Sequence, residues 1–481
     1  MASFPRILDS RSWPRASRPG MPVMLVRVLV VTFVMMFITG LLAGCPAGGD
    51  DLQPPRDSLV YPTALAVSPD ASRLFAVNAN SDLRWSSGSV LAMDLEAIDG
   101  LVSQWLALPL DPGKCQGREG PLASESCACD LEDPEILSCA QSLVVAGGSS
   151  GGSGSASGVR IGNFASDIGV QDLGGGELRL FVPVRGDPSV TWIDYSGGEL
   201  QCDGSGEGFP LCDDNRILGF DGDPERTLRG EPFEVFVDSD SQFAVVTHQQ
   251  RAAVSLIAAP VDGAPALVDE MSNLFAGDSL GTQAAFGVAG RRVAGEQSPL
   301  VYVTSRTENR VQMLSVAPGL DADQAPRLAP AGFFFLQSVA PSTDSRGIAF
   351  NADGTRAYIA NRNPPMLHVL DTAATPEGTP RNEIRANVEL CRDPANLAAG
   401  DPGDGARVYV ACFPEGQVWA IDPEAGVVEA IIATGAGPHA LVMDEQRKRL
   451  YVANFLDHSL AVVELDPASP ARNQVVLRLR S

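Results

Sequence analysis

"YVANFLDHSLAVVELD", residues 451–466, is an apolar run, a polar turn and a second apolar run that ends in Asp. The same plan returns in "YVTSRTENRVQMLSV" from Tyr302, "YIANRNPPMLHVLD" from Tyr358 and "YVACFPEGQVWAID" from Tyr409. Ahead of such runs lies another alternating segment, closed by a turn such as "SPDASR" (68–73) or "NADGTR" (351–356). Period-two alternation bounded by Asp- and Gly-bearing turns predicts antiparallel strands. Seven copies can be counted, starting near Pro62, Ala165, Pro232, Gln283, Ser345, Pro394 and Pro438. The later copies are about 45 to 60 residues apart, which suits four-stranded blades with variable loops. Fourth strands are expected at 102–110 (VSQWLALPL), 383–391, 427–435 and 474–481. The predicted fold is all-β, a seven-bladed β-propeller of four-stranded antiparallel blades over residues 60–481. A pair of β-sandwiches would not repeat one strand-turn-strand motif in a single order.

At "AVSPDASRLFAVN" (66–78), "AFNADGTRAYIAN" (349–361) and "LVMDEQRKRLYVAN" (441–454) the chain resembles the YVTN-repeat family of seven-bladed β-propellers. The second and third copies depart from that pattern, with "LFVPV" (180–184) and "AVVTH" (244–248) in place of Tyr-Val-x-Asn. The C-terminal "QVVLRLRS" is expected to complete the last blade by itself.

The first 44 residues read as a processing segment. Residues 28–39, "VLVVTFVMMFIT", are uncharged and follow Arg27, and "LLAGC" comes next. A basic flank, an apolar run and small residues form a secretory signal. Cys45 after Leu-Ala-Gly resembles the bacterial lipobox, which implies cleavage before Cys45 and diacylation of its thiol. Residues 45–59, rich in Pro, Gly and charge, read as a tether. The expected location is the cell envelope, lipid-anchored, at the outer membrane.

The net charge is −24. Loss of residues 1–44 removes Arg6, Arg11, Arg15, Arg18, Arg27 and Asp9, leaving −28. Such a surface repels nucleic acid and anionic lipid, so nucleic-acid binding is excluded and lipid chains would hold the protein to the membrane. A monomer is expected.

Eight cysteines remain after Cys45, and export favours disulfides. Cys391 precedes the sixth copy's first strand and Cys412 ends its second, so these two should meet. Cys202 and Cys212 close one short loop, which leaves Cys115, Cys127, Cys129 and Cys139 to pair among themselves. Neither a His nor a second Cys pair at zinc spacing accompanies "CAC" (127–129), so no metal is expected there. The segment 111–163 is expected to join the first blade's outer strand to the second blade, with its Gly/Ser tract carrying a cysteine-stapled knob.

Function is less legible. At the Asn of Tyr-Val-x-Asn the copies carry Asn78, Val184, His248, Ser305, Asn361, Cys412 and Asn454. The next position carries Ala79, Arg185, Gln249, Arg306, Arg362, Phe413 and Phe455. Arg185, Arg306 and Arg362 with Phe413 and Phe455 thus ring one rim, where guanidinium and aromatic planes could hold a carboxylate, phosphate or sugar acid. Such arginines also pair readily with acidic neighbours. His439 and His458 should lie on the same rim, and His368 should be structural. Catalytic motifs are absent: no Gly-x-Ser-x-Gly, Walker loop, dinucleotide fingerprint or His-Glu-x-x-His occurs. The expectation is a non-enzymatic, membrane-tethered propeller presenting a binding face, without cofactor, to an envelope protein or an anionic small molecule or sugar. The alternative is a propeller enzyme of the lactonase or dehydrogenase type.

Overall fold

A computed structural model describes residues 52–108, 126–130, 133–145, 158–203, 209–219, 228–275, 284–296, 298–317, 325–336 and 344–481. Blade 1 opens with β1 (Pro62–Val67), β2 (Arg73–Asn78) and β3 (Gly88–Asp94). The chain then forms helix α1 (Leu95–Leu106) and the hairpin strands β4 (Cys127–Cys129) and β5 (Leu137–Ala140), before β6 (Gly158–Ile161) completes the blade. Blade 2 comprises β7 (Gly169–Gly174), β8 (Glu177–Val184), β9 (Ser189–Ser196) and β10 (Glu199–Gln201), with β11 (Ile217–Leu218) also on β9. Blade 3 comprises β12 (Pro232–Asp238), β13 (Phe243–His248), β14 (Ala253–Ala258) and β15 (Ala266–Met271). Blade 4 comprises β16 (Ala285–Arg291), β17 (Leu300–Ser305), β18 (Arg310–Ala317) and β19 (Arg327–Phe335). Blade 5 comprises β20 (Ser345–Phe350), β21 (Arg356–Arg362), β22 (Pro365–Asp371) and β23 (Glu383–Glu389). Blade 6 comprises β24 (Pro394–Gly400), β25 (Arg407–Cys412), β26 (Gln417–Asp422) and β27 (Val427–Ala433). Blade 7 comprises β28 (Pro438–Asp444), β29 (Arg449–Asn454), β30 (Ser459–Glu464) and β31 (Gln474–Arg480). The protein is a seven-bladed β-propeller whose first strands line the central channel.

Burial explains the repeat. Every residue of β13, β25 and β29 is buried. Each of these strands packs on two neighbouring blades at once, so its alternation serves two interfaces and the run reads as continuously apolar. In "LYVAN", Tyr451 and Ala453 join the core shared with blade 1, while Leu450 and Val452 join the core shared with blade 6. The outer strands β23 and β27 keep one face toward solvent and alternate visibly. The motif Asn is a turn anchor: Asn454 Nδ2 donates to Thr434 O at 3.0 Å and Ser459 Oγ at 3.1 Å. Asn78 Oδ1 accepts from the Val60 N–H at 2.9 Å.

Residues 102–106, the start of the expected strand 102–110, are helical, and residues 109–110 lie outside the described residues. Leu95, Ile98, Val102 and Trp105 are buried at a helical spacing, and Asp94 caps α1 by accepting from the Glu96 and Ala97 N–H groups. Helical period and an N-cap override the short apolar run that suggested a strand. The long excursion accordingly lies inside blade 1, between β3 and β6, and not between blades 1 and 2.

Nor is its cysteine hairpin a free-standing knob. β5 pairs in parallel with β31, so β4 and β5 extend blade 7 to six strands. Asp130, with its side chain fully buried, accepts from Arg478 at 3.0 Å and pairs with Arg480 at 3.3 Å. Gln141, 1% exposed, ties both ends of the propeller. Its Oε1 accepts from the Leu59 N–H at 2.6 Å, and its Nε2 donates to His458 O at 2.8 Å and Leu479 O at 3.1 Å. β31 fills the fourth position of blade 7, but the sheet does not end there: β5 and β4 from the blade-1 excursion add to its outer edge and secure the seam beside it.

Disulfides join Cys127 to Cys139, Cys202 to Cys212 and Cys391 to Cys412. Cys129 is also disulfide-bonded. Cys115, Cys45 and the whole of residues 1–51 lie outside the described residues. Such bonds persist in oxidising compartments, so the folded chain belongs outside a reducing cytosol. No helix among the described residues is long and apolar enough to cross a membrane.

Candidate functional site

One backbone irregularity recurs where the first strands begin. Pro62, Pro232, Ala285, Ser345, Pro394 and Pro438 each pair with the motif position of their own blade, and the register then slips. In blade 2 the corresponding bridge is Ala165 to Val184. A bulge re-aims side chains, and here it turns the residues just after the bridge toward the channel mouth. Asp167, Glu234, Arg346, Asn396 and His439 occupy those places in five blades. With Phe233, Phe286, Arg362 and Phe413 they line a pocket of about 240 Å³.

The pocket is bipolar. On blade 5, Arg346 is 9% exposed, lies 4.3 Å over the Phe286 ring and donates to Asp344 at 2.6 Å. Burial, with Arg362 and Arg306 nearby, lowers its pKa, although Asp344 opposes this. Opposite, on blades 2 and 3, stand Asp167 and Glu234. Asp167 accepts from the Val235 N–H at 2.8 Å and Glu234 from the Val288 N–H at 3.1 Å. Each keeps some surface on the pocket but is enclosed by protein elsewhere. Desolvation raises Asp167 to about 7, and desolvation together with the Asp167 charge raises Glu234 well above the usual range. The pair therefore retains a proton near neutral pH, giving one wall a carboxyl donor as well as an acceptor.

His439 stands between the walls. Its Nδ1 lies 3.0 Å from Thr63 O. A carbonyl can only accept, so Nδ1 carries the proton and the neutral ring keeps its lone pair on Nε2. Burial is the main cause of its lowered pKa, and Arg346 and Arg362 add to it. The channel mouth thus holds a neutral imidazole of fixed tautomer, a guanidinium wall and a proton-bearing carboxyl wall.

The rim residues named from sequence separate into groups. Arg362 lines the pocket and lies 3.5 Å from Asp393. Arg306 stands 4.0 Å from Asp344, and Arg185 pairs with Glu231 at 2.5 Å. Neither lines the pocket. In all three pairs the acid directly precedes the next blade's first strand, so these arginines are ion-paired across blade seams. Phe413 and His439 are pocket walls. Phe455 stands behind them, 5.9 Å from the His439 ring. His458 is not brought to His439; it sits farther out, its ring 4.4 Å from Tyr61. His368 is buried in β22 and bonds Asn387 at 2.7 Å, a structural placement. No cluster of three or more metal-ligating side chains occurs among the described residues.

Asp167, Glu234, Arg346 and Asn396 escaped the sequence reading. They follow by one or two residues the copy starts Ala165, Pro232, Ser345 and Pro394, a shared repeat position that only an alignment of the copies brings out.

The raised Asp167 pKa has a consequence for stability. Unfolded, this carboxyl ionises near pH 4; folded, it holds its proton to about pH 7. The folded state binds more protons between those values, so stability from this group falls as pH rises across them. Asp167→Asn should therefore gain melting temperature relative to wild type at pH 8 and lose that advantage at pH 4. An equal offset at both pH values would contradict the assignment.

No family model and no curated protein matches the chain. Solved structures of similar shape include a Bacteroides fragilis protein assigned as a 6-phosphogluconolactonase, at 15% identity and TM-score 0.49, covering 66% of this chain and 86% of that one. The periplasmic gluconolactonase of Pseudomonas aeruginosa is 14% identical at TM-score 0.48, covering 79% and 86%. Hydrazine synthase of Kuenenia stuttgartiensis is 13% identical at TM-score 0.48, covering 89% and 100%.

Proposed function

We propose that this propeller is an exported, lipid-anchored envelope protein whose channel mouth binds a small sugar acid. The observation that carries the binding reading is the bipolar pocket. Arg346 and Arg362 offer one wall to a carboxylate or phosphate, and Asp167 and Glu234 offer the opposite wall to hydroxyls. Phe286 and Phe413 flank the space between, and a volume near 240 Å³ suits a single sugar unit. Isothermal titration with gluconate is the test. Binding should weaken as salt rises, because salt screens the attraction that draws an anion to the open channel mouth. Arg185→Gln should cost less than loss of Arg346, since Arg185 pairs with Glu231 and meets the pocket only through the Phe233 ring, 5.7 Å away. No measurable heat with gluconate, or full binding after loss of Arg346, would refute the reading.

A specific observation also favours hydrolysis of a lactone or ester of such an acid. His439 Nε2 can take a proton from water attacking the carbonyl carbon, and Arg346 can face the developing oxyanion. The proton held by Asp167 and Glu234 can pass to the departing ring oxygen, so that water adds across the broken C–O bond. Proton release from 1,5-gluconolactone, followed in a pH-stat against the uncatalysed rate, tests this second reading. No acceleration by the wild-type protein would remove it.

Export is supported by the disulfides, and anchoring rests on "LLAGC" at 41–45. Cys45→Ala should abolish labelled fatty-acid incorporation and release the protein from the membrane pellet into the soluble fraction. Retention of label would refute lipidation at that thiol.

A further inference from the structure

A second pocket opens on the same face, at the seam between blades 7 and 1, with a volume of about 270 Å³. Tyr61, Trp85 and His458 supply aromatic walls, and Ser58, Asp82 and Arg84 supply polar ones. We propose that this seam pocket is a second saccharide subsite, for a neutral sugar ring linked to the sugar acid at the channel mouth. The inference rests on the channel-mouth reading above.

Three observations carry it. The first is continuity. Phe413, a wall of the mouth, lies 6.1 Å from Phe455, and Phe455 lies 5.1 Å from Tyr61, a wall of the seam pocket. Phe455 therefore links the aromatic walls of the two spaces, tilted 51° to Phe413 and 54° to Tyr61. Sugar rings lay their C–H faces on aromatic planes, so a strip of such rings suits a linked saccharide.

Rigidity is the second. The Trp85 loop is braced by Asn80, whose Nδ2 donates to Trp85 O at 2.7 Å and whose Oδ1 accepts from the Trp85 N–H at 3.1 Å. Asn80 also donates to Asn163 at 2.7 Å, and the Ser86 N–H donates to Leu52 O at 2.9 Å. On the facing side, Gln141 holds Leu59 and His458 together. A platform ordered before binding loses little entropy when the ligand arrives.

The third is charge. The mouth presents the guanidinium wall, whereas the charged side chains lining the seam pocket are one carboxylate, Asp82, and one guanidinium, Arg84, which itself lies 4.9 Å over the Trp85 ring. His458 adds no cation, because burial lowers its pKa while Asp82 and Asp457 only partly oppose this. Balanced polar groups around aromatic faces favour a neutral polyhydroxylated ring over a second anion.

The experiment compares gluconate with lactobionate and maltobionate, each of which is gluconate carrying one neutral hexose. Titrations use the full-length protein. Wild type should bind at least one disaccharide acid about tenfold or more tightly than gluconate. Trp85→Ala should abolish that increment and leave gluconate binding unchanged. Equal affinity of wild type for gluconate and both disaccharide acids would overturn the seam subsite while leaving the channel-mouth reading intact. Loss of gluconate binding in Trp85→Ala would also overturn it, because the two spaces would then be one site. Absence of all binding, gluconate included, would fail the channel-mouth reading and the subsite with it.

Discussion

Gln141→Leu should lower the unfolding free energy by about 2–4 kcal/mol, although the substitution keeps the side chain close to its original volume. Gln141 is 1% exposed and lines neither pocket. Its amide makes three hydrogen bonds, to the Leu59 N–H, His458 O and Leu479 O. A leucine satisfies none of them. The Leu59 N–H is then buried without its partner, and an orphaned donor costs its full desolvation, about 1–3 kcal/mol. The two carbonyls each lose a donor as well. These bonds are the place where the start of the propeller, its last strand and the excursion from blade 1 are all held together, so the loss falls on ring closure. Chemical denaturation should show a lower midpoint, and hydrogen exchange should report faster opening in β28 to β31 than in blades 3 to 5. Ser142→Ala, next in sequence, serves as the control and should be near neutral. If Gln141→Leu were equally neutral, the clasp would have no part in closing the ring.

Arg346→Gln should weaken gluconate binding by about 10- to 100-fold, the range set by removal of a charge-assisted hydrogen bond worth about 1.5–3 kcal/mol. The guanidinium lies over Phe286 and donates to Asp344. Gln keeps a donor but removes the positive charge and shortens the reach. Asp344 retains Arg306 at 4.0 Å, so the carboxylate is not stranded. Arg346→Lys should recover part of the affinity, since it restores charge without the planar fork. The salt dependence of the remaining binding should flatten in the Gln variant. Retention of wild-type affinity and salt slope would place the anion elsewhere on the face. A thermal scan of the same samples separates lost binding from lost fold.

The repeat was legible because one physical constraint acts on every blade. A strand packed between two neighbours must be apolar on both faces, and the Asn that ends it must satisfy its own turn. Tyr451, Val452, Ala453 and Asn454 meet those demands locally, and residues 358–361 meet them again. Local pattern was enough for the strand order and the seven copies. It failed at residues 102–106, where several apolar residues sit close together and only the spacing of Leu95, Ile98, Val102 and Trp105 from a capping Asp94 reveals a helix.

The rim named from sequence and the channel-mouth pocket share Arg362, Phe413 and His439, whereas Arg185, Arg306 and Phe455 lie outside the pocket lining. The residue after the motif Asn sits at the outer end of the second strand, where Arg185, Arg306 and Arg362 find acids from the next blade. The residues after each copy start sit on the bulged first strand, and the sevenfold closure aims them at one point. Nothing local distinguishes Asp167 or Arg346 from an ordinary surface charge. Convergence, burial and the resulting pKa shifts exist only once residues 167, 234, 346, 396 and 439 share a pocket. Their separation in sequence spans most of the chain. The hairpin's docking on β31 and the bonds of Gln141 to Leu59, His458 and Leu479 are likewise beyond local pattern. Short-range alternation and turn chemistry settle what each segment can form. Which segments meet depends on closing the ring, and that is a property of the whole chain.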